Sequence, residues 1–204
     1  MSNTITLSKQ LKATLIVAHD ASRGIGSSGK LPWRLSKEMK YFARATTEAP
    51  TGKQNAVVMG RTTWEGIPNK FRPLKARINV VLSSKSRQDL GLSEDVLLAS
   101  SLTEAFRLLR SQSESLHRIY IIGGVQLYKE SMREPDVADR ILLTHITQGQ
   151  EKWQCDTFFP ELKKEEWSQC SAHEHQEWLK GVDVPTAEVW EGEVSWRYEM
   201  WVRR

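Results

Sequence analysis

Glu38 lies three positions after Leu35 and four before Phe42, in a run where Leu35, Met39, Phe42 and Thr46 recur at helical spacing. Residues so spaced share one helix face, and the carboxylate then projects from the edge of that face instead of its solvent side. A carboxylate there either reaches out to water or is paired with a ligand or another polar group. Leu31, Trp33 and Met39 stand close by along the chain. An apolar pocket holding one acid can grip a polar heterocycle through paired hydrogen bonds.

Two further segments bring glycine to the start of a helix. In one, an apolar run from Asn55 ends in Met59 and Gly60, and Arg61, Thr62 and Thr63 open a helix. In the other, a run from Arg118 ends in Gly123 and Gly124 and leads through Val125, Gln126 and Leu127 to Tyr128. Glycine lets an anion approach the backbone, and helix N-termini favour negative charge. Either turn alone is also an ordinary tight connection; two of them, with Arg and Thr at hand, suit a pyrophosphate. The segment GIGSSG, Gly24 to Gly29, has the lettering of a dinucleotide fingerprint without its context. Leu31, Pro32 and Trp33 follow where a helix should open, so these glycines are expected to form a loop.

Other chemistries have less support. His173 and His175 would share one face of a possible strand, but no third ligand is spaced to join them, and no metal is expected. No serine sits in a nucleophile elbow, and neither Cys155 nor Cys170 has a base near it in sequence. Two cysteines fit neither a disulfide framework nor a zinc cluster, and reduced thiols are expected. The net charge of +4 and pI near 9.1 would suit anionic partners, yet Lys and Arg alternate with Asp and Glu without a basic run, which describes a solvated mixed surface. The eight tryptophans follow no repeat spacing. No apolar stretch is long enough to span a bilayer, and no signal or transit pattern precedes the run at Thr14 to Ala18, so a cytoplasmic protein is expected.

The elements that must position these residues are readable in outline. At 204 residues with 39% apolar content, one domain is expected over residues 1–204. Strands are expected at Thr14 to His19, Asn55 to Met59, Ile78 to Leu82, Val96 to Ala99, Arg118 to Ile122 and Ile141 to Ile146. Several are continuously apolar, as in a sheet covered on both faces. Val194, Trp196, Tyr198, Met200 and Val202 alternate with Ser195, Arg197 and Glu199, the period of an antiparallel strand with one exposed face. Helices are expected from Leu35 to Thr47, after Gly60, after a capping box at Ser101 and Glu104, and after Gly124. Lys180 to Glu193 reads as a long loop or hairpin connection. The fold class is therefore α/β: a single domain with a central mixed, mostly parallel sheet of about eight strands flanked by about four helices, with C-terminal antiparallel strands.

In the order and spacing of LIVAHDASRGIGSSGKLPW (Leu15 to Trp33), KEMKYF around Glu38, VVMGRTTWEGIP (Val57 to Pro68), FRPLKARINVVLS (Phe71 to Ser83), IIGGVQLYKE (Ile121 to Glu130), LTHI around Thr144 and DTFFP (Asp156 to Pro160), the chain resembles the dihydrofolate reductases, in their eukaryotic, fungal-like form. The resemblance implies reduction of 7,8-dihydrofolate to tetrahydrofolate by hydride transfer from NADPH, in support of one-carbon and thymidylate metabolism, by a monomer that also binds antifolate inhibitors and requires neither nucleic acid nor membrane. It implies that Glu38, Thr144, Trp33 and Leu31 form the catalytic group, with Trp33 holding a water. Ile16, Val17, Met39, Phe42, Ile67, Leu74 and Ile122 would wall the substrate pocket, and Arg77 would pair with the glutamate-tail carboxylate. Ala18, Ile25, Gly29, Gly60, Arg61, Thr62, Thr63, Ser83, Ser84, Lys85, Gly123, Gly124, Val125, Gln126, Leu127 and Tyr128 would line the cofactor site. Cis peptides are implied at Arg72 to Pro73 and Gly123 to Gly124. Ser84 and Ser100 stand where relatives carry basic residues, which leaves Arg61 and Lys85 for the 2′-phosphate. Met39 replaces a common Phe and bears on inhibitor selectivity. A pyrimidine reductase of the same architecture and a silent folate- or RNA-binding module are the rival readings.

Overall fold

A computed structural model describes residues 11–149, 151 and 153–204, so the reading of the first ten residues lies outside it. The chain runs through β1 (Ala13–His19), β2 (Gly24–Gly26), α1 (Ser36–Thr47), β3 (Gln54–Gly60), α2 (Arg61–Gly66), a 3-10 turn at Asn69–Phe71, β4 (Arg77–Leu82), β5 (Leu97–Ala99) and α3 (Leu102–Arg110). It continues through β6 (Leu116–Ile121), α4 (Val125–Arg133), β7 (Ala138–Gln148), β8 (Thr157–Phe158), β9 (Trp167–Gln169), α5 (Ala172–Trp178), β10 (Val189–Glu191) and β11 (Val194–Arg203).

The main sheet has the order β10-β11-β7-β1-β6-β3-β4-β5, with β9 added against β11. From β7 to β5 the neighbours are parallel, and β11 pairs antiparallel with β7, β9 and β10. The continuously apolar strands bury both faces, as their composition predicts. Leu15, Val58, Ile121 and Leu143 point into the cluster shared with α3 and α4, whereas Ile16, Val57, Met59, Tyr120 and Leu142 point into the one shared with α1 and Trp64 of α2. Among the described residues no helix is long and apolar enough to cross a membrane.

Several expectations need correction. Five α-helices occur among the described residues, and the additional one, α5, holds His173 and His175, which were read as sharing a strand face. In a helix, residues two apart diverge, and only His175 is buried. The signal for α5 was present: Ser171 accepts the Glu174 N–H while the Glu174 carboxylate accepts the Ser171 N–H, a complete capping box. The box expected at Ser101 is incomplete, because the Glu104 carboxylate turns to the N–H and hydroxyl of Ser100. In β11 the register shifts between Ser195 and Trp196, and Ser195 is buried against Thr147 instead of facing solvent. The Lys180 to Glu193 connection ends in β10, so it closes as a hairpin onto β11.

Candidate functional site

Helix α1 turns a different face inward from the one its apolar residues mark. Glu38, Tyr41, Ala45 and Thr46 are its buried residues, Phe42 is half-buried, and Met39 remains 44% exposed. The carboxylate therefore lies on the packed side of the helix and not at its edge. Thr144, from the middle of β7, donates its hydroxyl to Glu38 Oε1 at 3.3 Å. Burial, only partly opposed by that hydrogen bond, raises the Glu38 carboxyl to about 7. A group poised there can hold or release a proton near neutrality.

Ile16 belongs to the same cluster as Tyr41, and Phe42, Ile67, Leu74 and Ile122 pack half-buried against it. Leu31 is 52% exposed, close to Met39 in degree. Trp33 is buried, its ring 5.3 Å from that of Trp153, and its Nε1 has no protein acceptor, which leaves a donor free for a small polar partner. The period-two alternation of β1 sends the Val17 side chain into the opposite cluster from Ile16. Arg77 opens β4, donates to Thr46 Oγ1 at 2.7 Å and to the Lys75 carbonyl at 3.0 Å, and is lowered to about 10 by partial burial. It thus reaches the end of α1 opposite the turn that carries Glu38.

The two glycine turns lie side by side. Gly60 N–H donates to the Gly123 carbonyl at 2.8 Å, and a Cβ on Gly60 would come within 3.7 Å of the Gly124 nitrogen. Gly123 has φ +112 and is joined to Gly124 by a cis peptide, as is Arg72 to Pro73. Gly60 and Gly124 are the N-caps of α2 and α4, and neither helix has a side chain capping its first amides. Two sets of uncapped N–H groups beside a cradle without Cβ atoms match a pyrophosphate. Thr63 Oγ1 comes close to both glycines, at 3.4 and 3.6 Å from a Cβ built on Gly123 and on Gly124. Tyr128 is buried with its hydroxyl spent on the Ile16 carbonyl at 2.8 Å, so it supports this region more than it offers a polar contact. Arg61 and Lys85 converge on Glu65, at 2.7 and 4.0 Å, and the Ser83 hydroxyl accepts the Lys85 N–H at 3.0 Å.

The glycine-rich segment is a β-ribbon and not the start of a Rossmann helix. Gly24 and Gly26 pair with Phe158 and Thr157 of β8, the Asp156 carboxylate accepts the Ser28 N–H at 2.7 Å, and Gly29, with φ +74, precedes no helix. A Cβ at Gly24 would lie 2.5 Å from Cys155 Sγ, so Gly is required there by close packing. His19 and His145 stand far apart along the chain. Adjacent parallel strands bring their rings within 5.2 Å, and His145 Nδ1 is 3.4 Å from a Glu199 carboxylate oxygen. Nothing local in sequence marks that pairing.

The family model for dihydrofolate reductase matches residues 12–185. The chain belongs to the dihydrofolate reductase family. This reductase is 41% identical to the dihydrofolate reductase of Pneumocystis carinii, over 97% of this chain and 99% of the relative. It is 46% identical to that of Drosophila melanogaster over 74% of this chain and 81% of the other. The solved dihydrofolate reductase of Schistosoma mansoni superposes with a TM-score of 0.80 at 34% identity, covering 96% of this chain and all of that one. The eukaryotic type expected from the motifs is thereby established, as is the activity of the family, reduction of dihydrofolate to tetrahydrofolate with a pyridine nucleotide.

Proposed function

We propose that this reductase takes its hydride from NADPH and that Glu38, bonded to Thr144, is the acid that binds and polarises the pterin. The observation that carries the reading is a single buried carboxylate raised to about 7 on the inward face of α1. NADPH supplies the hydride. The chain supplies orientation and exclusion of water. Ile16, Phe42, Ile67, Leu74 and Ile122 hold the pterin and benzoyl groups, Leu31 and Met39 close the mouth, and Trp33 Nε1 orders a small polar partner near the acid. Arg77 meets the glutamate tail from the far end of α1, where a guanidinium and a carboxylate match in shape and charge. The uncapped amides of α2 and α4 take the pyrophosphate, while Arg61 and Lys85 exchange Glu65 for the 2′-phosphate. The Gly24 to Gly29 ribbon covers the nicotinamide end. Residues 1–204 form one monomeric, cytoplasmic reductase domain that needs neither nucleic acid nor membrane, and antifolates compete in the pterin pocket.

Glu38 reaches the pterin through its amino group and ring nitrogen, on the edge away from the reduced bond. It therefore favours the protonated ring, and water delivers the proton. Glu38→Gln keeps the shape and removes the charge, so single-turnover hydride transfer near neutral pH should fall by about two to four orders of magnitude, with a smaller deficit in acid. Wild-type rates in that variant would overturn the assignment. Two charge-assisted contacts to the 2′-phosphate should make kcat/KM for NADPH exceed that for NADH by more than about tenfold. Equal values would remove Arg61 and Lys85 from the phosphate site.

A further inference from the structure

The helix that carries Glu38 has no cap of its own. Leu35 stands at the N-cap, extended and buried in a cluster with Trp33 and Trp196, and offers no acceptor to the first amides. The acceptor comes from the other end of the chain. Glu191 Oε1 takes the Ser36 N–H at 2.8 Å and Oε2 takes the Lys37 N–H at 2.9 Å, while Lys37 Nζ donates to the Trp190 carbonyl at 2.7 Å. Ser36 and Lys37 are the two residues immediately before Glu38.

Glu191 is the last residue of β10, and the reversal through Gly192, with φ +63, leads directly into β11. Strand β11 pairs with β7 so that Tyr198 lies opposite Thr144, the hydroxyl bonded to Glu38. One hairpin therefore holds both partners of the Glu38–Thr144 contact: the strand behind the threonine and the turn ahead of the glutamate. We propose that Glu191 is a positioning residue for the reaction, its carboxylate standing in for the missing helix cap and setting how deeply Glu38 is seated. This rests on the reading of Glu38 as the pterin-binding acid.

A first turn released from its cap frays, and fraying admits water to the group that follows it. Glu38 is held up by burial, so hydration returns it toward the ordinary carboxylate range. The ionisable groups that feel its charge are Tyr41 on its own helix, Tyr128 from α4 and Tyr198 from β11, all raised by burial and titrating far above neutrality. His175 of α5, bonded to the Tyr41 hydroxyl, is lowered to about 4 and stays neutral at working pH. Around Glu191 the charged groups are Lys37 and, lining the adjoining surface depression, Arg34 and Glu193.

The test compares wild type, Glu191→Ala, Glu191→Gln and Glu38→Gln by kcat/KM for dihydrofolate against pH, which reports ionisations of the free enzyme. Single-turnover hydride transfer, NADPH affinity and thermal unfolding are measured on the same proteins. In Glu191→Ala the Glu38-dependent limb should move down by about one pH unit, and hydride transfer at neutral pH should slow roughly tenfold. NADPH affinity should stay within about twofold, since α1 does not form the phosphate cradle. Glu191→Gln retains one acceptor oxygen and should fall between, which keeps the test available if the alanine variant folds poorly. An unshifted limb in both Glu191 variants, or equal losses of rate and NADPH affinity without a shift, would overturn the proposal. A limb that vanishes in Glu38→Gln but stands unmoved in the Glu191 variants defeats this inference alone. A limb unaffected by Glu38→Gln defeats the reading of Glu38 itself.

Discussion

With its carboxyl raised from the ordinary 4.5 to about 7, Glu38 keeps a proton in the folded chain over a pH range in which the unfolded chain has released it. The folded state binds more protons across that window, so its stability falls as pH rises through it and stays lower above. A shift of that size corresponds to about 3 kcal/mol between acid and pH 8. Glu38→Gln should therefore unfold at a higher denaturant concentration than wild type at pH 8, with the advantage shrinking toward pH 5, even as it loses activity. Denaturant midpoints at the two pH values check this, and a variant less stable than wild type at pH 8 would mean the carboxylate is better solvated than its burial indicates. Arg77 shows how residue type and position divide the work: a guanidinium at that place was legible, but its engagement with Thr46 at the far end of α1 depends on how β4 meets the helix.

At the scale of elements, the short ribbon β2–β8 shows how a glycine pattern can mislead. The letters of GIGSSG match a nucleotide loop, yet Gly24 is there because its Cα sits under the Cys155 side chain and beside Asp20. The Asp20 carboxylate already accepts the Gly24 N–H at 2.8 Å, so the strand cannot back away without losing that bond. Gly24→Ala should destabilise the chain by about 1 to 3 kcal/mol through overpacking. Pairing Gly24→Ala with Cys155→Gly should recover part of it, because that change removes both the Sγ and the Cβ that meet the added methyl. Chemical denaturation of the single and double variants is the measurement, and strictly additive losses would show that the contact is not the cause. Helix α5 teaches the converse. Its capping box was present in sequence, but two histidines spaced two apart drew attention to a strand instead.

Across the whole molecule, Glu38 and His175 titrate in opposition although they sit on different elements. His175 is lowered by burial from 6.5 to about 4, so the unfolded chain binds the proton first and stability is lost as pH falls through that range. The loss is on the order of 3 kcal/mol, similar in size to what Glu38 returns over nearly the same interval. Wild type should thus show a shallow stability profile between about pH 4.5 and 6.5 from these two groups. His175→Gln removes one side of the balance and should make the protein gain stability on acidification across that interval. Urea titrations every half pH unit decide the matter; a profile parallel to wild type would exclude His175 as a buried neutral base.

What the sequence determined by itself was local. Apolar runs at β1, β3, β6 and β7 announced a sheet covered on both faces, helical spacing placed Glu38 on a helix, and glycines before Arg61 and Val125 marked two anion-ready turns. Each follows from residues within one or two turns of one another, where periodicity and steric limits act directly. Tertiary structure alone decided that α1 buries Tyr41 and Ala45 and leaves Met39 exposed, that β1 points Val17 away from Ile16's cluster, and that His19 meets His145 across neighbouring strands. It alone brought Glu191 to the helix end at Ser36, a contact between positions 155 residues apart. Such pairings are set by the order in which strands enter the sheet and by the register of β11 on β7. That order is chosen by the total burial of both faces, a sum over the whole chain that no local pattern records.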